Sequence, residues 1–310
     1  MVKLDARGYI AIAEIVLYVP IFFIGIPIAL RNGFTRKAGW IFLVLLSIVR
    51  IIGGVTHILS EQNPSNTTLQ IIFNIMESSG LSPLLVATVG FLGTVGQYSI
   101  GGHLIMGRGL RLMGVLGTVA LALAIVGGVN SGNAKSQSEL DSGTRFRKIG
   151  SALFGVLYVA IVFVTVFCMQ NKDKILKYRR KLLQGIAVAL PFLFVRVLYA
   201  ILSAFAPATR AFDADDHPIP VNGSSSLKTF GPTGSWAVYL IMSVVVEYIV
   251  VVIYTTVGIR TPLSKDEAEY GQAPSDTYAM FDAQPLAGNG RRSQSDNLYK
   301  PSGTYPMPSY

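Results

Sequence analysis

Seven stretches of this chain are each long and apolar enough to cross a hydrocarbon layer: Tyr9 to Leu30, Trp40 to Leu59, Thr68 to Val95, Leu112 to Val129, Ile149 to Met169, Leu182 to Phe205 and Trp236 to Gly258. A helix needs roughly 20 mostly apolar residues for that crossing. Inside lipid each segment must also satisfy its own backbone N–H and C=O groups, which leaves helices or a closed barrel. The stretches are continuous and rich in Leu, Val and Ile, whereas barrel strands would be short and alternating. The expected fold is therefore an all-α membrane protein, a seven-helix transmembrane bundle over residues 1–258. The third stretch is long enough to begin outside the membrane. The first is too long for the apolar core of a signal peptide and has no small-residue cleavage site, so it reads as the first span.

The composition agrees, with 51% hydrophobic and 14% charged residues and a net charge of +9. That charge does not point to nucleic acid, because the basic residues sit in short loops between spans, where topology explains them. Sixteen of them fall on one side: Arg31, Arg36 and Lys37, then Arg108 and Arg111, the cluster Lys172, Lys174, Lys177, Arg179, Arg180 and Lys181, and Arg260, Lys265, Arg291, Arg292 and Lys300. The other side holds eight, namely Lys3, Arg7, Lys135, Arg145, Arg147, Lys148, Arg210 and Lys228. Cytoplasmic loops carry the excess of Lys and Arg, so the amino terminus is expected to be lumenal and the carboxyl terminus cytosolic, in the endoplasmic reticulum membrane. Two glycosylation sequons, at Asn66 and Asn222, both fall in loops assigned to the lumenal side. The loop from Asn130 to Lys148 runs against the rule, with four basic residues on that side.

Residues 259–310 turn polar and rich in Pro, Ser, Gly and Tyr, the composition of a disordered cytosolic tail. Internal repeats of the kind that build many transporters are not visible. The single cysteine, Cys168, allows no intrachain disulfide and reads as a small packed residue. A metal site is not expected, because no second His or Cys stands at ligand spacing from His57. The glycines of Gly101-Gly102 and Gly107-Arg108-Gly109 lack the context of a phosphate loop. Pro27, Pro83 and Pro191 are expected to kink their helices.

Ionisable residues inside spans are costly and mark function by default. There are six: Glu14, Arg50, His57, Glu77, Arg196 and Glu247, all in the middle or amino-terminal-side half of the membrane by the orientation above. Residues three, four or seven apart share a helix face. The second span then presents Ser47, Arg50, Gly53, Gly54 and His57 together, and the third Asn74, Glu77 and Ser78. The sixth presents Phe192, Arg196, Tyr199 and Ser203, and the seventh Trp236, Tyr239, Ser243, Glu247 and Tyr254. One reading is structural: Arg50 and Arg196 pair with glutamates to hold the bundle together. Three carboxylates facing two arginines nevertheless leave one carboxyl without a cation, and apolar surroundings favour the neutral form of such a group. A neutral buried acid is a proton donor, as general acid chemistry requires. Glu77 and Glu247 are the candidates, since Glu14 lies about five residues into its helix and can reach the interface by snorkelling. His57, near the end of its span, reads first as an interfacial histidine.

Four stretches carry a resemblance to a known family: Asp5-Ala6-Arg7-Gly8-Tyr9, Arg50-Ile51-Ile52-Gly53-Gly54, Asn74-Ile75-Met76-Glu77-Ser78-Ser79-Gly80-Leu81-Ser82-Pro83-Leu84, and Arg196-Val197-Leu198-Tyr199. Over its seven-helix region the chain resembles a fungal membrane family that includes the terpene cyclases of meroterpenoid pathways, of the ascochlorin, ascofuranone and macrophorin type. The resemblance implies cofactor-independent cyclisation of a farnesyl chain on an aromatic or quinone-derived core, started by protonation of its terminal olefin or epoxide. It implies a prenylated small molecule as substrate. The residues admit such chemistry. A water-excluded acid, Glu77 or Glu247, would protonate the chain, and the rings of Phe192, Tyr199, Trp236, Tyr239, Tyr248 and Tyr254 would stabilise the carbocation. Glu14, Arg50, His57, Asn74, Arg196, Tyr199 and Tyr239 would position the acids or bind the oxygenated head.

Two other classes stay open. Seven helices and a long tail also fit a receptor, although the third span ends in Gly96-Gln97-Tyr98-Ser99 rather than an Asp/Glu-Arg-Tyr element and the seventh has no lysine for a retinal Schiff base. A transporter or lipid exporter could use the same buried Arg and Glu to bind substrate or relay protons.

Overall fold

A computed structural model of the chain describes residues 5–32, 39–63, 66–97, 105–132, 134, 136–206, 225–231 and 234–261. The chain divides into two units, Met1–Ala268 and Glu269–Tyr310, and all the described residues lie in the first. Most of the segment expected to be a disordered tail, and the sequon at Asn222, lie outside the described residues.

The structure is all-helical among the described residues, with seven helical segments long and apolar enough to span a membrane. The elements are α1 (Ala6–Asn32), α2 (Trp40–Gln62), α3 (Thr67–Ser79), α4 (Leu81–Gly96), α5 (Leu110–Gly132), α6 (Gln137–Gln170), α7 (Lys177–Phe205), α8 (Trp236–Tyr239) and α9 (Val246–Arg260). Wider π-helical turns precede α5 (Ile105–Gly109) and join α8 to α9 (Leu240–Val245), so α8, the π turn and α9 together make the seventh span.

Most helices point large apolar side chains outward, among them Tyr9, Phe23, Leu112, Val159 and Ile241, as a lipid-facing surface requires. The third span is the exception. Eighty-nine per cent of its apolar window is buried, against 28–39% for the other six, which makes α4 the central helix of the bundle. It packs against α2, α5, α6 and α7.

Three sequence expectations change. The third stretch is two helices rather than one, separated at Gly80. Pro83 is the physical reason: it has no N–H for the carbonyl of Ser79, and it sits in the first turn of α4, where that loss is tolerated. Pro83 therefore starts a helix instead of kinking one, while Pro20, Pro27 and Pro191 lie inside theirs. The fifth span is longer than its apolar run. α6 begins at Gln137, capped by Ser136 Oγ accepting from the Glu139 N–H, inside the segment expected to be a loop. Polar helix beyond the bilayer leaves no trace in hydropathy.

That extension also accounts for one of the basic residues that run against the charge rule. The Arg147 guanidinium donates at 3.4 Å to the carbonyls of Ser203, Ala204 and Ala206, the free acceptors at the end of α7. α5 and α6 meet through glycines: a Cβ on Gly127 would lie 2.6 Å from the Arg147 nitrogen, and one on Gly143 would lie 2.6 Å from the Ser131 nitrogen. Small residues permitting such backbone approach are how helices associate in lipid. At the start of α2, Gly39 takes φ +78° with Ala87 O and Phe91 against its α-carbon, a position that excludes other residues by both conformation and space.

Candidate functional site

The second span delivers its expected face: Ser47, Arg50, Gly53, Gly54 and His57 are all buried. Their 3-4-7 spacing sets Arg50 on the same face as His57, two turns nearer the start of α2. Arg50 meets Glu247, the first turn of α9. Its Nε donates to Glu247 Oε1 at 2.6 Å and its Nη2 donates to Oε2, the bidentate arrangement that suits guanidinium and carboxylate. Arg196, from α7, adds Nε to Glu247 Oε2 at 2.9 Å, and Tyr18, from α1, donates its hydroxyl to Oε1 at 3.0 Å. Glu247 is completely buried and receives four hydrogen bonds from three other helices. The break at Gly80 belongs to this cluster, because a Cβ there would lie 2.9 Å from Arg50 Nη2.

A second polar group lies next to it, toward the start of α1. Glu14 is buried rather than snorkelling: Tyr239 donates its hydroxyl to Glu14 Oε1 at 3.3 Å, and Arg50 Nη1 lies 3.9 Å from the same oxygen. Glu14, Glu77, His57 and Tyr239 line one recess with Arg7, Ala11, Gly54 and Phe73. Its volume of about 10 Å³ is room for about one water molecule. Arg7 closes the side toward the end of the bundle, with its guanidinium 5.8 Å from the Tyr239 ring centre and donating at 2.8 Å to the carbonyl of Gly234. His57 is 8% exposed and stacks on Phe73 at 4.1 Å. Its Nε2 forms an ion-pair contact with Glu61 Oε1 at 3.1 Å outside hydrogen-bond geometry, and neither ring nitrogen has a hydrogen-bond partner among the described residues.

Glu77 differs from the other two glutamates. It is partly buried, and among the described residues it makes no hydrogen bond or ion pair. Of the two carboxyls the sequence left open, then, Glu247 takes both arginines and Glu77 takes none.

The aromatic residues do not form one lining. Tyr199 and Tyr239 stand together, ring centres 6.4 Å apart, with the Arg196 guanidinium 5.9 Å from the Tyr199 ring. Trp236 points outward at 52% exposure. Tyr248 packs edge-on against Tyr18. Tyr254 lies two turns of helix beyond Glu247, hydrogen-bonded with Thr88 and packed on Phe91, in a separate cluster with Trp40. The Asn74 and Ser78 side chains lie outside the described residues.

Sequence reasoning missed two buried participants. Tyr18, the fourth donor to Glu247, is four residues after Glu14 on the same helix face, a spacing that could have found it. Arg179 was counted as a loop charge, yet it is fully buried at the opposite end of the bundle, donating to the carbonyl of Thr94 and to Gln97 Oε1. Its signal was weak, since it stands among five other basic residues.

No curated protein matches the chain. Residues 4–264, a stretch that contains all seven candidate spans and both polar groups, match a family described as Domain of unknown function (DUF7702), and the chain belongs to that family.

Proposed function

We propose that the protein is a membrane-bound terpene cyclase, with Glu77 as the general acid that protonates the terminal olefin or epoxide of a prenyl chain. The observation that carries this reading is the division of labour among the three glutamates. Glu247 is saturated by two arginines and a tyrosine, one oxygen of Glu14 is met by Tyr239 and Arg50, and Glu77 lines the recess with no hydrogen bond or ion pair among the described residues. A proton donor must be free of cations that hold it as a carboxylate, and aromatic faces must stand near the developing carbocation. Phe73, Tyr239 and Tyr199 are the rings available there. Support also comes from the similarity of the Asp5–Tyr9, Arg50–Gly54, Asn74–Leu84 and Arg196–Tyr199 stretches to the fungal family that includes meroterpenoid cyclases. In this reading Arg50 and Arg196 fix the framework, and Arg7 and His57 meet the polar end of the site. A recess of one water's volume must widen to admit a prenyl chain.

The same proposal places the amino terminus and the recess on the lumenal side of the endoplasmic reticulum membrane. Asn66 Oδ1 caps α3 by accepting from the Thr68 and Leu69 N–H groups, and the residue is exposed. Loss of a glycosidase-sensitive gel shift in Asn66→Gln and in Asn222→Gln is the expected result; a chain that never carries glycan on either residue counts against this orientation.

The test of function is conversion by microsomes from a heterologous fungal host, fed a farnesylated phenol or cyclohexenone and its terminal epoxide. A cyclised isomer from the native chain and none from Glu77→Gln is the expected outcome. Undiminished cyclisation by Glu77→Gln rejects the acid assignment.

A transport reading has one observation in its favour. The Arg50–Glu247 cluster adjoins two interrupted helices, at Gly80 beside Arg50 and at the π turn before Glu247, and transporters build substrate sites at such interruptions. Turnover without a gradient separates the two, because a detergent-solubilised enzyme converts its substrate and a transporter does not.

A further inference from the structure

We infer that the recess binds a single water molecule which, with His57, forms a proton relay to Glu77. The inference rests on the reading of Glu77 as a proton donor and supplies what that reading lacks, a route for the proton that each turnover consumes.

Glu77 needs such a route because, among the described residues, it makes no hydrogen bond or ion pair to another titratable group. A site holds a structural water when it is polar, has room for one molecule and offers two to four partners. The recess has that room, and His57, Glu14, Glu77 and Tyr239 are among the residues that line it. His57 provides the independent sign of a missing partner: with Nε2 beside Glu61, its buried Nδ1 has no hydrogen-bond or ion-pair partner among the described residues, at the free-energy cost that buried polar groups ordinarily avoid by pairing. One turn beyond His57 on α2 stands Glu61, 3.1 Å from Nε2 and 18% exposed, where it meets bulk water. Glu61, His57, the recess and Glu77 thus run in sequence from the solvated end of the bundle to its interior.

Imidazole suits the middle position because one ring nitrogen can take a proton while the other gives one up. The imidazolium of His57 passes a proton to the water, and the water passes one of its own to the Glu77 carboxylate. His57 regains a proton from bulk water by way of Glu61, so the carboxyl is restored without net change in the relay. Glu14 takes no part, its Oε1 being occupied by Tyr239 and near Arg50.

The experiment needs no substrate. Infrared spectra of the protein in nanodiscs identify the Glu77 carboxyl band by its loss in Glu77→Gln, and transfer to heavy water then times its exchange. His57→Phe, which keeps the stacking on Phe73, is expected to slow that exchange about 100-fold, the low end of what a positioned proton-transfer group contributes. Should that variant fail to fold, His57→Gln, which bonds water but cannot shuttle a proton, gives the same readout. Exchange as fast as in the native chain, or no band lost in Glu77→Gln, overturns the relay. Slowed exchange in a protein that converts no prenyl substrate upholds the relay and removes only the cyclase reading.

Discussion

The two polar groups of the bundle core lie side by side and share Arg50, yet one is saturated and the other is not. Around Glu247 every acceptor is met by a donor from a different helix, so the carboxylate ties α1, α2 and α7 to α9. Glu77 and His57 line a water-sized recess, and among the described residues neither makes a hydrogen bond through its side chain. A fully satisfied buried network rigidifies and specifies a fold, whereas an incompletely satisfied one costs stability and persists where something else must bind. The difference teaches which carboxyl is bound into the architecture and which is left over from it, something that depth in the membrane does not distinguish.

The comparison breaks most visibly at Glu247. Glu247→Ala leaves two buried guanidinium groups without their counter-charge, and removing one partner of a buried pair costs about 3–5 kcal/mol. Loss of the folded protein, followed as the thermal transition of the detergent-solubilised chain, is the expected result. A Glu247→Ala variant as stable as the native chain would mean that the cluster holds nothing together.

Much of this arrangement was legible beforehand, and what was missed has physical causes. Span number follows from length and hydropathy because the bilayer imposes both, and the buried face of α2 follows from helical period alone. Pairing does not. That Arg196 reaches Glu247 rather than Glu77 depends on how α7 and α9 are set against each other in rotation and height, which no single-helix pattern encodes. Hydropathy also looks for the membrane and not for the helix, so the polar first turns of α6 read as loop. Arg147 and Arg179 looked like topology signals because a charge count does not distinguish a solvated lysine from a guanidinium donating to helix-end carbonyls.

Smaller effects sharpen the contrast through matched hydroxyl deletions. Tyr18→Phe removes a 3.0 Å bond to a fully ionic cluster and is expected to cost about 1.5–3 kcal/mol, the range for hydrogen bonds to charged groups. Tyr239→Phe removes a longer, 3.3 Å bond beside the recess, where water can replace the lost donor, and is expected to cost about 1 kcal/mol or less. Thermal shifts of the two variants, measured side by side, would collapse the distinction if they came out equal or reversed.

The smallest expected change in stability is at Glu77, and there its sign matters more than its size. A side chain that makes no hydrogen bond among the described residues has none there to lose, so Glu77→Gln should alter stability by less than about 0.5 kcal/mol, the scatter of substitutions away from packing and pairing. Glu77→Leu goes further: it replaces a partly buried, unpaired polar group with an apolar one of similar volume, a change that is neutral or stabilising when no partner is orphaned. The thermal transition of Glu77→Leu is therefore expected at or above that of the native chain, while Glu247→Leu falls far below it. A chain that becomes more stable on losing a carboxyl was keeping that carboxyl for something other than its fold. If Glu77→Leu is instead destabilised as much as Glu247→Leu, both groups are structural, and the case for Glu77 as a proton donor loses its footing in the geometry.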